Sequence, residues 1–376
     1  MKQISDVIVI GSGIIGAAAV FALTRGARQR VILIDKGPLV SGMTRRSAGL
    51  VHPFQPHPRL AELALASYAF YNQWAMHLGP SKSGYVETGA VVIADADAPR
   101  LAALAQTLAP LTDKVMPIER AGLPARFPGI AHHFQAGLFT PRAGYADAAQ
   151  TAQGMVKAAQ ERGMQLLTGT LVKQILTAHG RVTGVATTNG DVEAPLVIVT
   201  AGNGSEKLLT PLGVALHLNF KSGAVLFYEQ PQTLPQGHPI FLDVNESFFL
   251  RPHPYHMSAA GNTATDLQPP NTDSPDEHVL PQNIARVTHF AARCIPGFGN
   301  AQPKRAHTIL YDTAADGLPA LGRVTHLEGL YVAAGFGTSA FSVAPTVGEI
   351  LAQLVIDGAT ARDLSSFNPM RPSLRI

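Results

Sequence analysis

The chain has 376 residues, of which 46% are hydrophobic and 15% charged, with a formal net charge of +3, and these values exclude disordered and collagen-like proteins. A pI near 9.0 without a dense run of Lys and Arg gives no strong electrostatic argument for nucleic acid, although it does not forbid an RNA substrate. The single cysteine, Cys294, cannot form an internal disulfide, and because no Cys/His cluster has the spacing of zinc ligands we expect no metal site and a cytoplasmic location.

Residues 6–23 form an apolar segment near the start of the printed sequence, which invites comparison with a signal peptide or a membrane span. The segment contains three ordered glycines and continues through Arg25 into a second strand-like stretch, residues 30–35. Both features favour a folded element over a targeting or membrane segment. We find no other apolar stretch long enough to cross a bilayer and therefore predict no transmembrane segment.

Residues 7–10 (VIVI) are a β-branched run, typical of a strand buried on both faces of a parallel sheet. A turn of the form G-x-G-x-x-G follows, and residues 17–25 predict a helix. Gly11 allows the tight turn, Gly13 lets the backbone approach a pyrophosphate, and Gly16 lets the helix pack closely on the strand. The helix N-terminus is therefore predicted to bind a dinucleotide phosphate through the turn formed by Gly11, Ser12, Gly13, Ile14, Ile15 and Gly16.

A second strand, residues 31–34 (VILI), ends at Asp35, nineteen residues after Gly16. That spacing is expected for a carboxylate that accepts hydrogen bonds from the ribose of the AMP half of a dinucleotide, and Lys36 follows it directly. An aspartate in this place disfavours a 2′-phosphate. FAD and NAD share the AMP half, so this unit does not separate them.

Five further stretches carry a resemblance to a known family. Residues 42–51 (GMTRRSAGLV) form a small, basic, glycine-containing loop, and near the other end residues 316–322 (DGLPALG) are followed by residues 329–345 (GLYVAAGFGTSAFSVAP). Together with residues 143–147 (AGYAD) and 197–202 (VIVTAG), they resemble the D-amino-acid oxidase superfamily, specifically its glycine oxidase and sarcosine oxidase-like branch. The resemblance spans nearly the whole chain and is most specific at its two ends.

The resemblance implies FAD as the cofactor. Beyond the glycine turn, it implies that the following residues hold FAD: Asp35, Lys36, Thr44, Arg45, Ser47, Ala48, Gly49, Leu50, Val172, Thr200, Ala201, Gly202, Gly335, Gly337, Thr338, Ser339, Ala340 and Phe341. The residue pattern independently predicts a strand at 331–334, a turn of small residues at 335–339 and a helix at 346–356. Such a unit can aim N–H groups at the N1–C2=O edge of a reduced flavin. The alternative, from topology alone, is that this unit is simply a third crossover of the sheet. Arg45 either touches the flavin or is solvated.

The predicted fold is α/β, with a Rossmann-type (doubly wound) FAD-binding domain interleaved with an antiparallel-sheet substrate domain. Residues 86–94 and 223–228 predict antiparallel strands, and residues 231–239 and 267–275 predict polar, proline-rich loops. The family fold implies that the FAD-binding domain consists of residues 1–78, 144–215 and 308–376, and the substrate domain of residues 79–143 and 216–307.

Three short elements are predicted inside the FAD-binding domain. Residues 168–175 predict a strand whose backbone near Val172 would pair with the adenine edge, a role that the resemblance implies; on residue type alone Val172 is a core residue. Residues 182–185 predict a further strand, and Asn189-Gly190 predicts a hairpin turn.

The resemblance also implies oxidation of the C–N bond of a small amine or amino acid. A neutral amine delivers a hydride from its α-carbon to flavin N5 and leaves an imine that water hydrolyses. Where glycine oxidases carry a carboxylate-binding arginine this chain has Tyr311, as sarcosine oxidases do. The cysteine that binds flavin covalently in sarcosine oxidases falls on Ile309, which predicts non-covalent FAD, and their lysine in the glycine loop is replaced by Ser342.

Arg251 is the candidate that would replace the missing carboxylate-binding group, because residues 247–252 predict a strand and a charge inside a sheet needs an anionic partner. The alternative is an edge-strand arginine that points into water. His52 lies just beyond residues 42–51, which we call the flavin loop. It either contacts the flavin ring or the substrate, or is structural. Tyr255 and His256 lie in a predicted turn and are weaker candidates.

The electron acceptor stays open between O₂ and a quinone or carrier, since residues 252–262 contain no lysine of the kind that activates oxygen in sarcosine oxidases. Two other functions also stay open. One is a tRNA-modifying flavoenzyme of the same superfamily, whose flavin loop also runs into a pair like His52-Pro53. The other is the FAD-binding subunit of a multimeric amine dehydrogenase. A purely NAD-dependent dehydrogenase would not explain the C-terminal glycine loop.

Overall fold

The structure, a computed structural model, describes residues 3–26, 29–55, 57–80, 84–95, 99–243, 247–265 and 278–374. Its strands are β1 Gln3–Ile4, β2 Val7–Ile10, β3 Val31–Ile34, β4 Leu50–Val51, β5 Val86–Glu87, β6 Ala90–Ala94, β7 Met116–Glu119, β8 Ala136–Thr140, β9 Gly144–Tyr145, β10 Gln165–Leu167, β11 Val172–Ala178, β12 Arg181–Thr187, β13 Gly190–Glu193, β14 Leu196–Val199, β15 Asn219–Glu229, β16 Ile240–Asp243, β17 Phe248–His253, β18 Met257–Thr265, β19 Arg305–Thr313, β20 Ala320–Arg323 and β21 Leu330–Ala334. Its helices are α1 Ile14–Leu23, α2 Pro58–Asn72, α3 Trp74–Leu78, α4 Pro99–Leu108, α5 Gly122–Arg126, α6 Ala148–Glu161, α7 Ser205–Leu209, α8 Pro281–Cys294 and α9 Ala340–Ile356.

A six-stranded sheet with the order β10-β3-β2-β14-β21-β20 forms the centre of the dinucleotide-binding part. All neighbouring strands are parallel except β20, which is antiparallel to β21. Strands β2, β3 and β21 are buried along their whole length, as their continuous apolar sequences predict. Helices α1, α6 and α9 cover one face, and a four-stranded sheet, β1-β13-β12-β11, covers the other. The predicted α/β class is confirmed.

Helix α1 begins three residues earlier than predicted and ends at Leu23. Gly13 is its N-cap residue, so the last positions of the glycine motif lie inside the helix rather than before it. At the other end, the Thr24 hydroxyl donates to the carbonyl oxygen of Val20 at 2.8 Å and competes with continuation of the helix. Any Cβ at Gly16 would overlap the carbonyl oxygen of Gly11, which explains the close helix–strand packing expected there.

An eight-stranded sheet with the order β19-β15-β18-β17-β16-β6-β8-β7 forms the second large layer. Its neighbours are antiparallel except for β16 and β6. The predicted strand 223–228 is the middle of β15. The predicted strand 86–94 is wrong as one element, because Gly89, at φ +73°, separates β5 from β6 and the two belong to different sheets.

The short elements predicted inside residues 168–190 are partly corrected. Strand β11 begins only at Val172, and residues 168–171 form an irregular connection instead of strand. The predicted strand 182–185 is the centre of β12, and the Asn189-Gly190 turn joins β12 to β13 with Gly190 at φ +105°. Residues 231–239 form a loop as expected. The predicted loop 267–275 lies outside the described residues.

Helix α9 differs from prediction in two ways. It begins at Ala340 rather than at residue 346 and contains Pro345. Pro345 has no N–H to offer the carbonyl oxygen of Phe341 four residues before it, and the Tyr71 hydroxyl donates to that oxygen instead, so the helix continues through the proline.

Residues Gly337–Ile356 are also long and apolar enough to cross a membrane, contrary to the expectation that no such stretch exists outside residues 6–23. The most apolar window of this stretch is 72% buried within the protein, against α1 and α2 among others. A helix hydrophobic on most sides belongs either in a bilayer or in the core of a protein. Its burial here identifies α9 as a core helix.

Strands of the parallel sheet come from residues 7–34, 165–199 and 320–334, and those of the large sheet from residues 90–140 and 219–313. Strand β19 crosses the predicted domain boundary at residue 308. The domain boundaries themselves stay a prediction.

An ion pair between a buried arginine and a more exposed aspartate holds the C-terminal segment in place. Arg371, only 7% exposed, donates through Nε and Nη2 to the two carboxylate oxygens of Asp316 at 2.6 and 2.7 Å, and this contact lowers the pKa of Asp316 well below its usual range. We expect Arg371→Leu to lower the free energy of unfolding by about 3 kcal/mol near neutral pH, because the Asp316 carboxylate would lose its cationic partner.

The pH dependence of this effect has a definite sign. A carboxyl group with a lowered pKa stabilises the folded state above its unfolded pKa, and that contribution is lost as the pH falls below about 4. Urea unfolding of both proteins at about pH 7 and at about pH 2, where the carboxyl group is largely protonated in the unfolded chain, measures the difference. An equal loss of stability at both pH values would contradict the assignment to this ion pair.

Candidate cofactor and substrate site

A cavity of about 610 Å³ lies along the carboxyl ends of four neighbouring parallel strands, β3, β2, β14 and β21. In open α/β sheets, ligands bind at this edge. The volume falls within the range of about 300–1,000 Å³ that is usual for cofactor and ligand clefts. The cavity therefore marks the place where a dinucleotide would lie across the sheet.

Asp35 is fixed at one end of this cavity. Its Oδ2 accepts hydrogen bonds from the backbone N–H and the hydroxyl of Ser12 at 2.7 and 2.6 Å, and its Oδ1 accepts one from the N–H of Gly37 at 2.8 Å. These contacts hold the carboxylate beside the glycine turn, where the ribose of an AMP group is expected. Ser12 itself does not line the cavity, so its part is to orient Asp35.

The glycine turn leaves open space towards the cavity. A Cβ added to Gly13 would find Thr44 Oγ1, at 3.4 Å, as its nearest neighbour, so the cavity side of the turn is free for an approaching group. The N–H of Ile14 donates to Thr44 Oγ1 at 2.9 Å and joins the flavin loop to the start of α1. An anion placed here would meet the free N–H groups of the helix N-terminus.

Most residues predicted to bind the cofactor line this one cavity: Gly11, Gly13, Ile14, Ile15, Asp35, Lys36, Thr44, Ser47, Ala48, Leu50, Val172, Thr200, Ala201, Gly202, Gly335, Gly337, Thr338, Ala340 and Phe341. Segments far apart in the sequence thus meet at a single site, which supports their shared assignment.

Five of the predicted cofactor residues do not line the cavity: Ser12, Gly16, Arg45, Gly49 and Ser339. Arg45 is exposed, which agrees with the solvated alternative. A Cβ at Gly49 would overlap the carbonyl oxygen of Ala146, so this glycine is needed for packing. Ser339 is buried in the turn before α9.

Arg251 lies on β17, in the interior of the large sheet, and is only 6% exposed. The alternative of an edge-strand arginine in water is therefore wrong. Its Nε donates to the carbonyl oxygen of Ala48 in the flavin loop and its Nη1 to that of Pro252, both at 2.8 Å. The guanidinium carbon lies 4.6 Å from the ring centroid of Tyr145.

No carboxylate forms a salt bridge with Arg251 within the described part of the chain, and its Nη2 makes no hydrogen bond there. Burial lowers the pKa of Arg251 to about 10, so the side chain is still cationic at neutral pH. Arg251 does not line the cavity itself but lies directly behind Ala48, which does. A buried cation held by two carbonyl oxygens is suited to bind an anionic ligand.

The other two catalytic candidates are placed differently. Tyr311, on β19, lines the cavity. His52 does not; its backbone N–H contacts Ser342 Oγ at 3.4 Å, and its Nδ1 is 3.5 Å from the side-chain amide of Gln55. Burial lowers the pKa of His52 to about 4, so the ring is neutral at physiological pH. These contacts favour the structural alternative for His52.

The weak candidates Tyr255 and His256 lie in the turn between β17 and β18, as predicted, both with positive φ. Tyr255 is 90% exposed, and neither residue lines the cavity.

Asp312 is a cavity residue that the sequence analysis missed. It follows Tyr311 on β19, is only 5% exposed, and its Oδ2 has no hydrogen-bond partner among the described residues. Burial raises the pKa of Asp312 to about 6, against the opposing effect of two backbone N–H groups, its own and that of Gly335. An acidic residue directly after the apolar run 309–311 was the available signal, because a carboxylate in a largely apolar strand needs a partner if it is buried.

The residues present fit FAD. The glycine turn offers open N–H groups for a pyrophosphate, and Asp35 offers an acceptor for a ribose. Asp312 Oδ2, which has no partner in the described part of the chain, offers an acceptor for a further donor. The cavity is also lined by Phe249, Ile309, Tyr311 and Phe341, which suit a large planar ring.

Comparisons with known proteins agree with this fit. Residues 6–354 match the family model DAO, described as FAD dependent oxidoreductase. The chain is 27% identical to glycine oxidase of Geobacillus kaustophilus (97% of each chain covered) and 24% identical to monomeric sarcosine oxidase of Bacillus sp. (98% of this chain and 97% of the relative). The crystal structure of L-proline dehydrogenase from P. horikoshii superposes with a TM-score of 0.87 at 20% identity, covering 99% of this chain and 98% of that one.

Proposed function

The chain belongs to the DAO family of FAD-dependent oxidoreductases, and from this premise we propose that it binds FAD without a covalent bond and oxidises the C–N bond of a small amino acid or N-substituted amino acid. Its similarity to a glycine oxidase and a sarcosine oxidase supports this substrate class. The observation that carries the proposal is Arg251, a buried arginine without a salt-bridge partner in the described structure, held against the flavin loop.

Arg251 would bind the substrate carboxylate. Two carbonyl oxygens, those of Ala48 and Pro252, fix the guanidinium plane, and Nη2 is left for a ligand oxygen. A charge-assisted hydrogen bond made away from water is strong and directional. The arginine would thereby fix the substrate beside Ala48, and with it the position of the α-carbon.

The apolar lining of the cavity would favour the neutral form of a bound amine. Phe249, Ile309 and Phe341 line the cavity and would limit the access of water to a bound substrate. Removal from water disfavours an ammonium ion and so lowers the pKa of a bound amine, which must be neutral to react. Bound FAD would supply the acceptor, taking a hydride from the α-carbon at N5.

Two cysteine-related observations support non-covalent binding. Ile309 occupies the cavity wall where the sarcosine oxidase-like pattern has its flavin-linking cysteine. Cys294, the one cysteine of the chain, is 2% exposed in a hydrophobic cluster with Phe298 and does not line the cavity. Denaturation with acid should therefore release the whole of the flavin into the supernatant.

The test is anaerobic bleaching of the flavin band of the purified protein near ~450 nm. The panel consists of glycine, N-methyl amino acids, proline, the decarboxylated amine of each, and modified tRNA. We expect bleaching by one or more carboxylate-bearing small molecules and not by the matched amines. Admission of air then separates an oxidase, which regains its colour, from a dehydrogenase, which stays reduced until a quinone is added.

Two results would contradict the proposal. Bleaching by tRNA alone would assign the protein to RNA modification. A flavin that no member of the panel reduces would indicate a cofactor-binding subunit that needs a partner.

A further inference from the structure

The order of strands in the parallel sheet sets the order of the parts of a bound dinucleotide. Along the cavity, Asp35 follows β3, Gly11 follows β2, Thr200 follows β14 and Gly335 follows β21. If the adenosine ribose lies at Asp35 and the pyrophosphate at the glycine turn, the next part of the cofactor crosses the ends of β14 and β21. In FAD that part is the ribityl chain, whose polar groups are hydroxyls.

Asp312 lies beside this crossing point. An antiparallel bridge between Thr313 and Phe336 holds the end of β19 against the segment that follows β21. The N–H of Gly335 donates to the Asp312 carboxylate, while Oδ2 has no partner within the described structure and the residue lines the cavity. A carboxylate this deeply buried is costly unless its oxygens accept hydrogen bonds.

Oδ2 of Asp312 is a negatively charged hydrogen-bond acceptor, and this property indicates which part of the cofactor it would contact. A carboxylate repels the pyrophosphate, and among the described residues no charged side chain shifts the pKa of Asp312, so none of them compensates such repulsion. Most polar atoms along the reacting edge of the isoalloxazine ring are acceptors. The ribityl hydroxyls are donors, and they belong to the part of the cofactor that would cross the ends of β14 and β21.

We propose that Oδ2 of Asp312 accepts a hydrogen bond from a ribityl hydroxyl of bound FAD and thereby anchors the middle of the cofactor. This inference rests on the FAD binding assumed in the proposed function, and it makes Asp312 a positioning residue rather than a catalytic one. This hydrogen bond favours the ionised carboxylate. FAD binding should therefore lower the pKa of Asp312 from its value near 6 in the cofactor-free protein. For the same reason, the affinity for FAD should fall as the pH drops below about 6.

The experiment compares FAD with ADP, which has the adenosine and pyrophosphate but no ribityl chain. Dissociation constants of both ligands are measured by calorimetry on cofactor-free protein at about pH 5.5 and pH 8. The proteins are the wild type, Asp312→Asn, which keeps the shape, and Asp312→Leu, which removes the acceptor. Asp243→Asn serves as control, because Asp243 is a buried aspartate of the same sheet that does not line the cavity.

We expect Asp312→Leu to weaken FAD binding by about 30-fold at pH 8 while the affinity for ADP changes less than about 2-fold. Asp312→Asn should remove the pH dependence of FAD binding, and Asp243→Asn should change neither ligand. Thermal unfolding of the cofactor-free variants checks that each is folded.

Unchanged FAD affinity in Asp312→Leu would overturn this inference and leave the proposed function intact. Equal losses for FAD and ADP would overturn it as well, because they would assign Asp312 a general structural role. A wild-type protein that bound ADP but not FAD would instead refute the proposed function.

Discussion

Arg251→Met is expected to lower kcat/KM by about 1,000-fold for an amino acid substrate that bleaches the flavin. Methionine keeps much of the length and apolar character of the side chain but cannot pair with a carboxylate. The loss is expected in kcat/KM because the bond from Arg251 would both bind the substrate and position its α-carbon for reaction. Stopped-flow reduction of the flavin under anaerobic conditions measures it.

Arg305→Met is the matched control for this substitution. Arg305 lies in the same cross-strand row of the large sheet as Arg251, connected through Phe227 and Ala259, but it is exposed and rests over the Phe227 ring at 4.3 Å. We expect this variant to keep kcat/KM within about 3-fold of the wild type, as for most surface substitutions. Equal losses of kcat/KM in Arg251→Met and Arg305→Met would show that the reaction needs positive charge in general and not a contact between Arg251 and the substrate carboxylate.

The matched amine provides a second control for Arg251→Met. An amine without the carboxylate should reduce the flavin of the wild type and of the variant at similar low rates, since neither protein can pair with it through a carboxylate. A large loss for the amine too would mean that Arg251 acts by holding Ala48 and the flavin loop in place.

Gly13→Ala is expected to weaken FAD binding by at least about 100-fold without unfolding the protein. The backbone at Gly13 has φ −65°, which alanine adopts freely, and the nearest protein atom to an added methyl group is Thr44 Oγ1 at 3.4 Å. The space that the methyl group would occupy is therefore that of the bound pyrophosphate. Titration of the cofactor-free protein with FAD, together with its melting temperature, measures both parts of the prediction.

Gly16→Ala, compared with Gly13→Ala, tests a glycine that is needed for packing rather than for contact with the cofactor. Its methyl group would overlap the carbonyl oxygen of Gly11 and lie 2.7 Å from Thr200 Oγ1, so helix α1 would have to move away from the sheet. We expect this variant to lose several kcal/mol of stability, about 3 or more, and to be recovered mainly as insoluble protein. A Gly13→Ala protein as unstable as Gly16→Ala would contradict the different roles assigned to the two glycines.

The sequence alone was sufficient for the elements whose signals are local. Strands β2 and β3 are continuous apolar runs buried on both faces, and the glycine turn and Asp35 stand at a spacing that a dinucleotide requires. These features depend on neighbouring residues only, so they could be read without the fold. The start of α1 was missed by three residues because Gly13 caps the helix, although glycine is a weak helix former.

Features that depend on distant contacts could not be predicted in the same way. Whether Arg251 faced water or the interior depended on the position of β17 in the sheet, which is set by strands far away in the sequence. The start of α9 before Pro345 depended on a hydroxyl from Tyr71, which lies on another helix. Asp312 was missed because an acidic residue near the end of a strand is usually exposed, and only the fold shows it to be buried beside Gly335.

Synthesis on the ribosome separates the strands of the dinucleotide sheet in time. Strand β2 is made first, yet its neighbour β14 comes nearly 190 residues later, and β21, which completes the cavity edge, follows about 320 residues after β2. At about 5–20 residues per second, the N-terminal strand waits roughly 16 to 65 s for the last part of its sheet. The apolar faces of β2 and α1 are without their final partners during that interval, so a nascent chain should depend on chaperones, and the cofactor can be captured fully only after residue 341 has left the ribosome.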